Sequence, residues 1–137
     1  MRAGLILLLA LLPGALRAQS NDLEHEADRA RRAWYSHDAA GLVANSPRLV
    51  VRLPGADPSG ALGQAQAAAL LRDFLAPTQE VETAVRSARE VEPGQGYVEL
   101  QRRYRVAGTQ EIRNQTLLLA YRRGSTGWTL VELRVSA

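Results

Sequence analysis

The order of segments predicts an α+β domain in which a curved antiparallel sheet of about four to five strands wraps two to three N-terminal helices. Three observations carry that expectation. Two helix-patterned segments, Asn21 to about Ser36 and Leu62 to Ala76, come first. A single strand-like run, Leu49-Val50-Val51-Arg52-Leu53, lies between them. From Val81 to Val135, four β-patterned segments then follow with no helix between them. Helices segregated from a meander of strands bury their apolar stripes against one face of the sheet.

The first helix is marked at both ends. Asn21 and Glu24 have capping-box spacing, Asp22, Glu24 and Glu26 crowd the first turns, and Arg29, Arg31 and Arg32 sit towards the end. That charge order suits the helix dipole. Leu23, Ala27, Ala30 and Trp34 form one apolar stripe at helical spacing, which His37 extends. The small alanines predict close approach to the sheet, with Trp34 as the anchor. Asp38 is suited to cap a short second helix, Ala39 to about Ala44, which Asn45-Ser46-Pro47 ends. Leu49 to Leu53 is short and rich in β-branched residues, as a strand entering a core would be, and Pro54 to Gly60 reads as a turn-rich loop. The next helix places Ala67, Leu70, Leu71 and Phe74 on one face and stops at Pro77.

The later strands are expected at about Val81–Val91, Tyr97–Val106, Glu111–Arg123 and Trp128–Val135, joined by Gly-rich turns. In the last of them, simple alternation puts Thr129, Val131, Leu133 and Val135 on one face and Trp128, Leu130, Glu132 and Arg134 on the other. The register of the central hairpin decides which side chains face inward. A three-residue loop at Ala107-Gly108-Thr109 pairs Tyr104 with Ile112 and Leu100 with Thr116. A two-residue loop at Gly108-Thr109 pairs Leu100 with Leu117 and Val98 with Leu119, which packs better. A slip of one residue reverses the second strand. The better-packed register gathers Arg102, Tyr104 and Tyr121 on one face with Arg113 and Gln115, a mixture suited to an anionic or amphipathic ligand or to a polar dimer face.

Composition sets limits on chemistry. Arg2, the apolar run Leu5–Leu12 and the break at Pro13-Gly14 read as a secretory signal over residues 1–18, cut after Ala18 or after Ser20. Residues 19–137 then form one domain, expected to be secreted or periplasmic, with no membrane insertion once the signal is removed. No cysteine is present, so there is no lipid-attachment point, disulfide, thiolate metal site or thiol nucleophile. Every basic residue is Arg, which removes Schiff-base and lysine general-base chemistry. The formal charge of +3 falls to +1 when Arg2 and Arg17 leave with the signal. Charge is uneven, with seven Arg against three Glu from Glu99 onwards. A basic strip of that kind could hold an anion, but the few aromatics do not alternate with Arg, so nucleic acid is not expected.

The two histidines are twelve apart without clustered carboxylates, so neither a metal nor another cofactor is expected. His25 lies among acids on a solvated helix face. Asp38 is explained by its cap role, and Ser36 beside His37 makes no nucleophile–base pair, because helix neighbours in sequence diverge. Gly94-Gln95-Gly96 precedes no helix and so reads as a turn, not a phosphate loop.

Several stretches carry a likeness to a known family. These are His37-Asp38-Ala39-Ala40-Gly41-Leu42 after the first helix, Val50-Val51-Arg52-Leu53-Pro54-Gly55 as the first strand, Gly63-Gln64-Ala65-Gln66-Ala67 leading into Leu70-Leu71-Arg72-Asp73-Phe74, and the closing Gly127-Trp128-Thr129-Leu130. With them the layout resembles the nuclear transport factor 2-like superfamily, the cone-shaped fold that includes SnoaL-like cyclases and ketosteroid isomerase. It is most similar to small secreted bacterial members of unassigned function. The resemblance implies a pocket between the helices and the concave sheet face. Its candidate lining here is Trp34, His37, Phe74, Arg102, Tyr104 and Tyr121. The resemblance also implies what an enzyme of this fold would need, namely a Tyr on the first helix with inward carboxyls, or a His with an Asp. Tyr35 is available, but all five Asp precede the meander and most sheet Glu lie near strand ends. The expectation is therefore a non-catalytic extracytoplasmic domain binding a small hydrophobic or anionic ligand or a partner chain, with a homodimer formed through the sheet. The alternative is a cyclase, isomerase or dehydratase-type enzyme using Tyr35 or His37 with an inward acid such as Glu99 or Glu111.

Overall fold

The computed structural model describes residues 22–137. The expected signal segment and the expected Asn21 cap lie outside these residues. The chain runs through helix α1 (22–35), α2 (Ala39–Leu42), β1 (Arg48–Arg52), β2 (Leu62–Gly63), α3 (Gln64–Leu75), β3 (Thr78–Glu92), β4 (Gln95–Val106), β5 (Ile112–Gly124) and β6 (Gly127–Ser136). Its strands form one sheet in the order β2-β1-β6-β5-β4-β3. The α+β class and the helix-covered sheet are as the sequence predicts, but the sheet has six strands and is mixed. β1 runs parallel to β6, with Val51 opposite Leu133, and the two-residue β2 pairs antiparallel to β1. β2 is too short to leave a period-two pattern, which is why Leu62 and Gly63 read as the start of the helix.

α1 packs its predicted stripe inward: Leu23, Ala27, Ala30 and Trp34 are all at most 1% exposed. Substituting fully buried aromatics by Ala costs about 3–5 kcal/mol, which puts Trp34 among the costliest residues to remove. α1 ends in a Schellman turn, in which the Asp38 amide donates to the Ala33 carbonyl (2.8 Å) and the His37 amide to that of Trp34 (3.0 Å). Asp38 then caps α2 as expected, accepting from the Gly41 amide at 2.9 Å. Arg29 ties the two helices together by donating to the Gly41 carbonyl at 2.7 Å while pairing with Glu26. Gln64, at the start of α3, donates to the carbonyls of Val43 (2.8 Å) and Ala44 (2.6 Å), just past the end of α2. α3 buries Ala67, Ala68, Leu71 and Leu75, a stripe turned slightly from the predicted one; Leu70 and Phe74 are only partly buried.

The central hairpin takes the better-packed register, with Leu100 opposite Leu117 and Val98 opposite Leu119. All four are fully buried. Irregularities break simple alternation elsewhere, one on β6 and three on β3. On β6, Glu132 pairs with Ala120 but Leu130 pairs with Tyr121, so Val131 is an extra residue. Trp128 and Leu130 before it therefore share the inward face with Leu133 and Val135 after it, and all four are buried. The two-face division expected for this strand is thus wrong from Val131 onwards. On β3 the register shifts between Glu80 and Glu82, leaving Val81 unpaired. Each bulge turns two residues of opposite parity to the same side.

Candidate functional site

The β3 bulge builds the site. Thr78 and Glu80 before it and Thr83 after it lie on the concave side, opposite Val106, Tyr104 and Arg102 of β4. Across β4, Arg102 is opposite Gln115 and Tyr104 opposite Arg113 of β5. Arg102 is thus flanked on the sheet by Thr83 and Gln115, and Tyr104 by Glu80 and Arg113.

Arg102 is fully buried, and the Glu80 side chain is only 2% exposed. They form a bidentate ion pair: Arg102 Nη2 donates to Glu80 Oε1, and Nε donates to Oε2 at 3.3 Å. Arg102 Nη2 also donates to Thr78 Oγ1 (3.0 Å) and Nη1 to Gln115 Oε1 (3.1 Å). The guanidinium carbon lies 4.0 Å from the Tyr104 ring centre, 5.1 Å from that of Trp34 and 5.9 Å from that of Phe74. These separations fit cation–π contact. Burial pulls the Arg102 pKa below its ordinary value, and the charge and hydrogen bonds of Glu80 oppose that pull. Glu80 accepts two further contacts, from Thr83 Oγ1 (3.3 Å) and with His37 Nε2 (3.3 Å).

His37 reaches Glu80 from an unusual backbone position. Its φ is +58°, the left-handed region that glycine ordinarily fills at the end of a Schellman turn. The strain of such a conformation, of order 1–3 kcal/mol for a non-glycine residue, is tolerated where the side chain makes a contact glycine cannot make. Here that contact is Glu80.

Beside this cluster opens a cavity of about 340 Å³. Phe74, Pro77, Tyr104 and Val106 supply its apolar wall, and Thr78, Arg102 and Gln115 its polar floor. Asp73 and Arg113 stand at its border, where Arg113 is exposed and paired with Glu111 at 3.0 Å. Counting formal charges, Glu80 offsets Arg102, Glu111 offsets Arg113, and Asp73 adds a negative charge. The cavity carries no positive excess.

Of the six residues predicted to line the pocket, Phe74, Arg102 and Tyr104 border this cavity. Trp34 backs it by stacking near Arg102, and His37 joins from behind through Glu80. Tyr121 shares their sheet face but lies opposite Gly96, towards the other end of β4. It does not line the cavity. Its hydroxyl is buried without a hydrogen-bond partner, and burial first, then the charge of Glu26, raises its pKa.

The sequence pointed to no acid gathered inside the sheet, and Glu80 corrects that: a buried carboxylate does lie beside an imidazole. The two acids considered for catalysis are elsewhere. Glu99 is directly opposite Ser87 on β3 and Leu118 on β5, on the outer face, and Glu111 is exposed. Tyr35 is half exposed and takes no part. One sequence signal could have found Glu80. Leu100, Arg102 and Tyr104 share parity on a strand that faces the core, so Arg102 had to be buried and required an acid partner.

No protein-family model matches the chain, and no curated protein matches it in sequence. Solved structures do match in shape. A ketosteroid isomerase-like protein from Erwinia carotovora atroseptica is 15% identical, with a TM-score of 0.70 over 86% of this chain and 95% of its own. A domain of unknown function with a cystatin-like fold from Nostoc punctiforme is 18% identical, with a TM-score of 0.68 over 87% of this chain and 76% of its own. A nuclear transport factor 2-like protein with a cystatin-like fold from Novosphingobium aromaticivorans is 19% identical, with a TM-score of 0.65 over 93% and 88%. Identities this low speak for architecture and leave activity open. The chain therefore has the nuclear transport factor 2-like, cystatin-like fold that its segment order resembles.

Proposed function

We propose that the protein is a non-catalytic binder of a small, mainly apolar molecule carrying one hydrogen-bond acceptor. The observation that carries this is the polar floor of the 340 Å³ cavity. Gln115 Oε1 accepts from the fully buried Arg102, which fixes the amide and leaves its NH₂ for other partners. That donor is set against the apolar wall of Phe74, Pro77 and Val106. A carbonyl-type oxygen would satisfy it. The missing positive excess favours a neutral ligand over an anion.

The enzyme alternative loses support from the same geometry. Glu80 already receives Arg102 twice, together with Thr83 and His37, and it does not line the cavity. A carboxylate that already accepts these contacts and lies off the cavity is out of hydrogen-bond reach of a substrate there.

Calorimetric titration with a neutral aryl ketone and the matching aryl carboxylate tests the reading. The ketone should bind saturably, and Val106→Trp, which fills the cavity, should weaken it at least tenfold. No binding of either compound, or equal binding by the filled variant, would overturn the proposal.

Export by residues 1–18 and a homodimer through the outer sheet face belong to the same reading. Tyr97 and Leu118 are diagonal neighbours on that face and both are exposed. Light scattering should report a dimer that Leu118→Asp dissociates; a wild-type monomer at 100 μM (about that concentration suffices for a Kd near 10⁻⁵ M) would remove it.

A further inference from the structure

One row of residues crosses the middle of the outer sheet face. Ser87 of β3, Glu99 of β4, Leu118 of β5, Arg134 of β6 and Arg52 of β1 lie opposite one another in turn. The three central side chains point outward, because each stands between two buried neighbours. Val98 and Leu100 flank Glu99, Leu117 and Leu119 flank Leu118, and Leu133 and Val135 flank Arg134. Leu118 and Arg134 are exposed and Glu99 is half-buried.

The charges on this row are unevenly matched. Arg52 pairs with Glu132, whereas Glu99 and Arg134 make no ion pair among the described residues. An acid and a base thus stand one strand to either side of an exposed leucine. In the adjacent outward row, Tyr97 of β4, Ala120 of β5 and Glu132 of β6 lie opposite one another.

That pattern decides how a second copy can sit on this face. A twofold interface sets residue i on residue j and residue j on residue i. Stacked sheets lie about 10 Å apart, a gap that a Glu and an Arg reaching towards each other can span. With the twofold axis along β5, β4 of each copy covers β6 of the other. Glu99 then meets Arg134 twice, Leu118 meets Leu118 at the axis, and Tyr97 lies over Glu132. With the axis across the strands, Glu99 would meet Glu99 and Arg134 would meet Arg134. Like charges so placed oppose association.

We propose that a second copy of the chain docks here, turned about an axis along β5, so that Glu99 of each copy pairs with Arg134 of the other. This rests on the homodimer of the proposed function and adds its orientation. Leu118 supplies the apolar contact, and the two ion pairs choose the register.

Sedimentation velocity of the wild type, Glu99→Arg, Arg134→Glu and the two substitutions combined in one chain tests the orientation. Each single variant turns both attractive contacts into repulsive ones and should weaken the dimer about tenfold. The combined variant restores opposite charges and should return to within about threefold of the wild type. An equimolar mixture of the two single variants should form a heterodimer, since each chain then complements the other. Recovery in the combined variant also excludes misfolding as the cause of the losses. A wild-type monomer removes the homodimer and this orientation with it. A dimer that Leu118→Asp dissociates but that the charge reversals leave unchanged keeps the homodimer and overturns the orientation. So does a combined variant as weak as the single ones.

Discussion

Arg102 and Glu80 are a pair whose value lies in each other. Two charges taken out of water lose hydration that their attraction only partly returns, so such a pair adds little net stability, yet breaking it is expensive. Glu80→Ala leaves a fully buried guanidinium unpaired and should cost about 3–5 kcal/mol by urea unfolding. Removing both charges as Glu80→Leu with Arg102→Met should recover most of that loss; a double variant as unstable as the single one would show that the hydrogen-bond network, not charge, holds this region. Tyr121 carries the clearest pH dependence. Its phenol is held protonated in the fold, with a pKa raised above the usual value of about 10. The unfolded chain therefore releases this proton first as pH rises. The stabilising contribution is complete below about pH 10 and is lost progressively above it. Tyr121→Phe should abolish that alkaline loss and leave stability at pH 7 unchanged or slightly higher, because the buried hydroxyl has no partner to lose. An unchanged alkaline slope would assign it to other groups. The sequence made Arg102, Tyr104 and Phe74 visible through parity and helical spacing. It left Glu80 hidden, because Val81 is an ordinary β-branched residue with no Gly or Pro to announce a bulge.

Elements were legible wherever periodicity was long. The α1 stripe, the cap at Asp38, the stop at Pro77 and the four later strands lie within a few residues of where patterning puts them. Register was legible too, since burying Leu100 against Leu117 is better than burying it against Thr116. Strand count was not: β2 has two residues, and a parallel neighbour such as β6 for β1 leaves no turn between them to read. β3 shows how the sheet manages its open edge. It pairs only with β4, and its register is broken around Val81, Arg86 and Val91, with Glu82, Arg89 and Glu92 exposed along it. Bulges and charges of this kind hinder pairing with another chain's edge. At the opposite end α1 presses on the sheet where Gly96 offers no side chain. A Cβ there would come within 2.9 Å of Leu23 Cδ2 and 3.4 Å of the Trp128 ring. Gly96→Ala should cost about 1–3 kcal/mol, as overpacking does, seen as a lowered Tm. An unchanged Tm would mean that Leu23 swings aside freely and that α1 is not pressed on the sheet there.

At the scale of the molecule, the sheet separates two chemistries. Its concave side, covered by three helices, holds a largely apolar cavity with no positive excess. Its outer face carries exposed side chains, Tyr97, Leu118 and Arg122 among them. The fold itself was readable from segment order because helices followed by a meander admit few arrangements. The cavity's charge balance was not, because it depends on which acids the bulge and hairpin bring beside Arg102 and Arg113. The central claim is that the Gln115 amide, held in place by Arg102, receives an uncharged acceptor. It is tested most directly by amide and side-chain NMR during titration with a neutral aryl ketone. The account predicts saturable shifts of the Gln115 side-chain NH₂ and of the Thr78 and Val106 amides, with the Arg102 Nε–H signal retained by Glu80. Shifts confined to other surfaces, or loss of the Arg102–Glu80 signal on binding, would contradict it.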